Sequence, residues 1–148
     1  MTLATSLLSS TASRLATVND GHNDTATYSY LANSPLVSQI VFATNGATRM
    51  TTGKTYDDLN RLTQISSAPG GAGLLPLTYT YSYNLANQRT QNAFSDGSHW
   101  AYQYDALGQV TSGKRYWADG TAVAGEQFGY AFDTIKGSVL DIDIWPAF

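Results

Sequence analysis

Asp141 and Asp143 stand two residues apart in a short isoleucine-rich stretch, so on a strand their carboxylates share a face. Carboxylates so placed could pass a proton or hold a divalent cation. Either task needs a third ligand or a glycine-rich loop beside them, and the neighbouring residues supply neither. We read them as solvent-facing strand acids. The run Asn19-Asp20-Gly21-His22-Asn23-Asp24 has the polar density of a calcium loop. An EF-hand would place a bidentate glutamate at its twelfth position, where this chain has Tyr30 or Leu31. A polar turn is the simpler reading. His22 and His99 each sit beside a turn, and a Ser-His-Asp set can be drawn from any chain this rich in Ser and Asp. Gly70-Gly71-Ala72-Gly73 lacks the Lys and Ser/Thr of a phosphate loop. There is no cysteine, hence no thiolate nucleophile, thiolate metal site or disulfide. We therefore expect no enzyme, no cofactor and no metal; a hydrolase is the weakest functional reading.

What the chain does repeat is an aromatic residue at a strand end followed by a turn. The anchors are Tyr30, Tyr56, Tyr83, Tyr104 and Phe132, and an earlier half-copy at 13–18 has Ser9 in the anchor position. Aromatics two apart (Tyr28/Tyr30, Tyr81/Tyr83, Tyr102/Tyr104, Tyr130/Phe132) point to one face of a strand. Asp57, Asn84, Asp105 and Asp133 follow the anchors, where a short side-chain oxygen can accept turn N–H bonds. Three residues further on, Asn60, Asn87 and Gly108 are types that tolerate positive φ. A return strand then begins, as at Arg61-Leu62 and Gln109-Val110. The unit is a β-hairpin. The first copy is uneven, with Leu31 in place of the turn acid and Pro35 near the strand start, a residue that belongs at an edge or bulge. The last has Lys136 where Gly or Asn is needed, which predicts a distorted turn.

Other strands are expected at 37–44, then Asn45-Gly46 as the strongest hairpin signal, then 48–56. Further hairpins are expected at 89–94 with 99–104 and at 114–118 with 122–132, Gly125 marking a bulge. Residues 66–76 read as a flexible loop between repeats.

Composition agrees with a β-protein. Of 148 residues 43% are hydrophobic and only 13% charged; Tyr occurs 10 times, and Glu126 is the sole glutamate. The net charge of −3 is scattered and forms no basic stripe, which argues against nucleic acid. No apolar run approaches the roughly 20 residues of a membrane-spanning helix. Residues 1–13 have no Lys or Arg and an apolar stretch broken by Thr5, Ser6, Ser9 and Ser10, so they do not read as a signal peptide.

Tyr-x-Tyr-Asp-x-Leu-Gly-Gln-Val at 102–110 and Tyr-Asp-Asp-Leu-Asn-Arg-Leu at 56–62 resemble the Rhs/YD-repeat family, and Phe128-Gly129-Tyr130-Ala131-Phe132-Asp133 looks like its bacterial members. The resemblance runs from about 14 to 132. It implies a long β-sheet spiralling into a hollow shell. Bacterial relatives are large secreted or surface proteins, many of which enclose and deliver a C-terminal toxin. Animal relatives are adhesion proteins, and the repeats have been linked to carbohydrate. The chain holds no DPxG-type motif, and its text after Ile135 fits no repeat, so a fragment or truncated member is expected and no toxin activity is assigned.

The expected architecture is all-β: consecutive antiparallel hairpins in one curved open sheet, a segment of such a shell. Residues 1–137 would form the repeat region and 138–148 a divergent tail. The expected function is a structural repeat module of an extracellular or cell-surface protein whose full form encapsulates or presents an effector. Its partners would be neighbouring repeats or the rest of the shell, a toxin cargo or a surface glycan. Open sheet edges would drive self-association. The alternative is a carbohydrate-binding or adhesion module, with Trp100, Tyr116 and Trp117 stacking on sugar rings; repeat position favours a scaffold role for the aromatics, worth roughly 0.2–1 kcal/mol per cross-strand pair.

Overall fold

The computed structural model describes residues 5–9, 14–132 and 139–144, the first and last of these as backbone only. Among them the chain is all-β. Twelve strands are described: β1 (Thr5–Ser9), β2 (Arg14–Asn19), β3 (Asp24–Tyr30), β4 (Val37–Thr44), β5 (Ala47–Tyr56), β6 (Leu62–Pro69), β7 (Leu77–Tyr83), β8 (Arg89–Phe94), β9 (His99–Tyr104), β10 (Val110–Tyr116), β11 (Ala122–Phe132) and β12 (Val139–Ile144). Two compact units divide at β7, Met1–Thr78 and Tyr79–Phe148. Within each of them strand order follows the chain without a crossover.

In the first unit β4 and β5 turn on Asn45-Gly46, both with positive φ (51° and 77°), as a two-residue hairpin of matching twist requires. β5 and β6 then pair from Tyr56↔Leu62 out to Met50↔Pro69. The loop expected over 66–76 therefore starts later. Residues 66–69 complete a ladder because β5 is long enough to oppose them, and Thr52 and Ser67 join hydroxyls across it at 3.0 Å. Pro35 lies in the turn before β4 and takes no place in the ladder, where its missing N–H would leave a gap.

In the second unit β8, β9 and β11 match the expected bounds. Gly125 has φ 75° and sits where the β10–β11 register slips between Lys114↔Gln127 and Tyr116↔Ala122. That is a bulge, and a glycine makes the left-handed turn without a Cβ clash.

Every anchor shows the same slip. Tyr56 faces Leu62 while Thr55 faces Gln64; Tyr83 faces Arg89 while Ser82 faces Gln91. Tyr104 faces Val110 while Gln103 faces Ser112, and Tyr30 and Phe132 repeat the pattern with Val37 and Val139. One residue of each return strand is skipped, so the hairpin end twists more sharply than its middle.

Burial is shallow. Among the described residues Val123 is the one apolar side chain in the buried class, at 9% exposure, whereas Thr52, Ser98, Ser112 and Gln127 are as deep or deeper. Leu59, Leu85 and Leu107, at turn tips, are largely exposed. Most apolar side chains among the described residues are thus half-covered rather than buried.

Candidate functional site

The repeated feature is the turn with its tyrosine, and each part has a local cause. At Asp57 the N–H donates to the Arg61 carbonyl (3.0 Å) and the Asn60 N–H returns to the Asp57 carbonyl (2.9 Å). Asn84 with Gln88 and Asn87, and Asp105 with Gln109 and Gly108, repeat this at 3.0–3.1 Å. Positive φ falls where the residue types allow it: 61° at Asn60, 61° at Asn87 and 84° at Gly108. One side-chain oxygen then gathers the turn's free donors. Asp57 Oδ1 accepts from Leu59 and Arg61 N–H (3.0 and 2.9 Å), and Asp105 Oδ1 from Leu107 and Gln109 N–H (2.9 and 2.8 Å). Asn84 Oδ1 does the same for Ala86 and Gln88, at 3.0 Å each. Arg61 Nε adds an ion pair to Asp57 at 2.7 Å. In the first copy Leu31 has no such oxygen; the turn lengthens by one residue, and Ser34 Oγ accepts from Leu36 N–H at 3.1 Å instead.

Three anchor hydroxyls tie their copy to the strand before it. Tyr30 Oη donates to the Leu15 carbonyl (2.7 Å), Tyr56 Oη to Val37 (2.9 Å) and Tyr104 Oη to Arg89 (2.7 Å). The sequence placed these tyrosines but held no sign of their acceptors, which lie 15 to 19 residues away. Phe132 has no hydroxyl to give. Its turn acid Asp133, and Lys136, lie outside the described residues. Tyr104→Phe is expected to lower stability by about 0.5–1.5 kcal/mol, since the Arg89 carbonyl loses a donor while the ring stays. A denaturation midpoint unchanged from the parent would show that the bond contributes nothing.

The opposite hairpin ends carry Asp96-Gly97-Ser98 and Asp119-Gly120-Thr121. Asp96 Oδ1 accepts from the Ser98 hydroxyl and N–H (2.7 and 2.9 Å), and Asp119 Oδ1 from those of Thr121 at the same distances. The hydroxyl bond first, then the backbone N–H, hold both carboxyls below the usual carboxylate range. At Asp57 desolvation pushes the carboxyl up, but the Arg61 and Leu59 N–H bonds and the Arg61 guanidinium outweigh it and the net direction is down. A depressed folded-state value stabilises the fold above the unfolded pKa of about 3.9 and loses that contribution as pH falls through the folded value. The denaturation midpoint should therefore drop as pH is lowered below about 4. Asp96→Asn with Asp119→Asn should flatten that drop; a slope equal to the parent's would place the titration elsewhere.

Among the described side chains, those considered for chemistry have local partners of their own. Asp20 Oδ1 caps its own turn, accepting from His22 and Asp24 N–H at 2.7 and 3.1 Å. His22 Nδ1 stands 3.8 Å from Asp20 Oδ2 in an exposed pair. His99 instead stacks on Tyr116, with centroids 5.4 Å apart. Among the described residues no group of three His, Asp or Glu side chains could hold a metal ion. Asp141 and Asp143 lie in β12 opposite Ala131 and Gly129.

The aromatics of the second unit do gather on one face. Gly113 is opposite both Tyr102 and Phe128, and its missing side chain leaves room for flanking rings. Trp100 lies near-parallel to Tyr102 and Phe128, with centroids 6.4 and 6.1 Å away. The Arg115 guanidinium spans Phe94 and Trp117 (5.5 and 5.8 Å) and pairs with Glu126 at 3.0 Å. Of the three aromatics considered for sugar stacking, Trp100 and Tyr116 are engaged within the sheet, while Trp117 is 47% exposed beside its turn.

No family model matches the chain, and comparison with curated proteins finds no match. Among solved structures it is similar in fold to a chain of the crystal structure of TcdB2-TccC3-Cdc42, with a TM-score of 0.65 and 14% identity. The likeness covers 80% of this chain and 5% of that one. Together the fold and the repeated turn define a class: an all-β protein of consecutive antiparallel hairpins, three of whose strand-end tyrosines (Tyr30, Tyr56 and Tyr104) are clamped to the strand before them.

Proposed function

We propose that this chain is a structural repeat module of an Rhs-like protein, secreted or displayed at the cell surface, whose full form encapsulates or presents a C-terminal effector. The observation that carries this reading is the tyrosine-to-carbonyl clamp recurring at Tyr30, Tyr56 and Tyr104, where the described residues bury almost no apolar side chain. Such a unit gains its stability from neighbours on either side. The fold likeness to a small fraction of a much longer chain, and the sequence resemblance to YD repeats, support the same reading. It assigns the chain no catalytic role.

Isolated chain should self-associate through its sheet edges or melt without cooperativity. Sedimentation as a sharp monomer with a cooperative melt would overturn the modular reading. For the effector, the adjoining genetic locus should encode a toxin domain and a small immunity protein; a locus without them would remove that part.

A second reading, a glycan-binding or adhesion module, is favoured by Trp117 alone, an exposed indole at a turn tip with Arg115 beside it. Glycan-array binding that disappears in Trp117→Ala would establish it, and an array without signal would discard it.

A further inference from the structure

Most arginines of this chain have an acceptor. Arg14 donates to the Ser34 carbonyl, Arg61 to Asp57 and Arg115 to Glu126. Arg89 differs. Its carbonyl takes the Tyr104 hydroxyl, while its guanidinium rests over the Tyr81 ring, 4.4 Å from the centroid, with no acceptor among the described residues. Among the described residues no carboxylate is paired with it.

That cation borders a cleft of about 510 Å³ lined by Tyr83, Asn87, Arg89, Tyr102, Tyr104 and Val110. The volume lies in the range of small-ligand sites. Contact with Tyr81 holds the guanidinium on one side and restricts its motion, which lowers the entropy lost on binding. Three phenols and a valine supply flat and apolar walls. Burial pushes the Tyr102 hydroxyl up despite the opposing pull of Arg89, so it stays protonated at neutral pH and can donate.

We propose that this cleft binds a carboxylate carried on a flat apolar ring. The planar fork of Arg89 matches a carboxylate with two parallel N–H bonds, the Tyr102 hydroxyl can donate a third, and the ring lies between the tyrosine faces and Val110. A spherical or tetrahedral anion would use the charge and leave the walls unfilled.

Ligand-observed saturation-transfer NMR on the whole chain tests this, with benzoate, benzyl alcohol and inorganic phosphate as probes. Benzoate should show saturable transfer competed by excess cold benzoate, with at least tenfold weaker response from benzyl alcohol. Phosphate should fail to displace benzoate at equal concentration. Arg89→Gln should weaken benzoate at least tenfold, and Tyr102→Phe two- to fivefold. Arg89→Gln keeps the carbonyl that Tyr104 uses; should it nonetheless unfold, Arg89→Lys keeps the charge but not the fork and should still weaken benzoate. Equal binding of benzyl alcohol, displacement by phosphate at parity, undiminished binding in the arginine variants, or no transfer from benzoate would each overturn the proposal.

Discussion

Gly70→Ala is expected to destabilise the first unit by about 2–4 kcal/mol, the sum of a forced backbone shift and a weakened hydrogen bond. A Cβ at this position would stand 2.0 Å from the Thr48 carbonyl oxygen and 2.8 Å from its carbon, both backbone atoms that cannot swing aside. The close approach exists because the Gly70 N–H extends the β5–β6 ladder by one bond, to the Arg49 carbonyl at 2.7 Å. Gly53 is the control. It lies mid-strand in the same unit, and its nearest neighbour to a new Cβ is the Ser66 carbonyl at 4.0 Å, so Gly53→Ala should change little. Chemical denaturation of both variants decides the point. If Gly70→Ala falls within about 0.5 kcal/mol of Gly53→Ala, the packing at the end of β6 is looser than described.

Asp57→Ala and Asp105→Ala are expected to cost about 1–2 kcal/mol each, the range for removing a side-chain oxygen that caps free backbone donors. Each carboxylate accepts two turn N–H groups, and both donors would be left to water. Asp57→Ala should be the costlier, because Arg61 also loses its ion partner at 2.7 Å. The corresponding Asn variants should lose much less. The chain itself contains that experiment: Asn84 holds an equivalent turn with an amide oxygen. Denaturation midpoints ordered wild type, Asn, Ala would support the capping role. Equal losses in Asn and Ala would mean that charge, rather than the oxygen's position, is what stabilises the turn.

Much of this fold was legible in the sequence, because its governing interactions are local. Asn45-Gly46 needs only the backbone preferences of two residues to make a hairpin, and the structure gives both positive φ. Asn60, Asn87 and Gly108 likewise occupy left-handed positions that follow from residue type and distance from the anchor. Strand ends at Tyr56, Tyr83 and Tyr104 follow from period-two alternation meeting a turn-former.

The sequence by itself thus determined the hairpins, their turns and the face on which each tyrosine lies, since contacts spanning about five residues suffice for these. Only the tertiary structure decided what the tyrosines touch. Tyr30, Tyr56 and Tyr104 reach carbonyls 15 to 19 residues back, Trp100 lies along Phe128 with Gly113 between their strands, and Arg89 settles over Tyr81. The glycine run at 70–73 looked like slack, yet Gly70 is wedged against the Thr48 carbonyl. These contacts cross strands, and each bulge skips a residue, so the partner opposite any side chain depends on a register that no local pattern encodes.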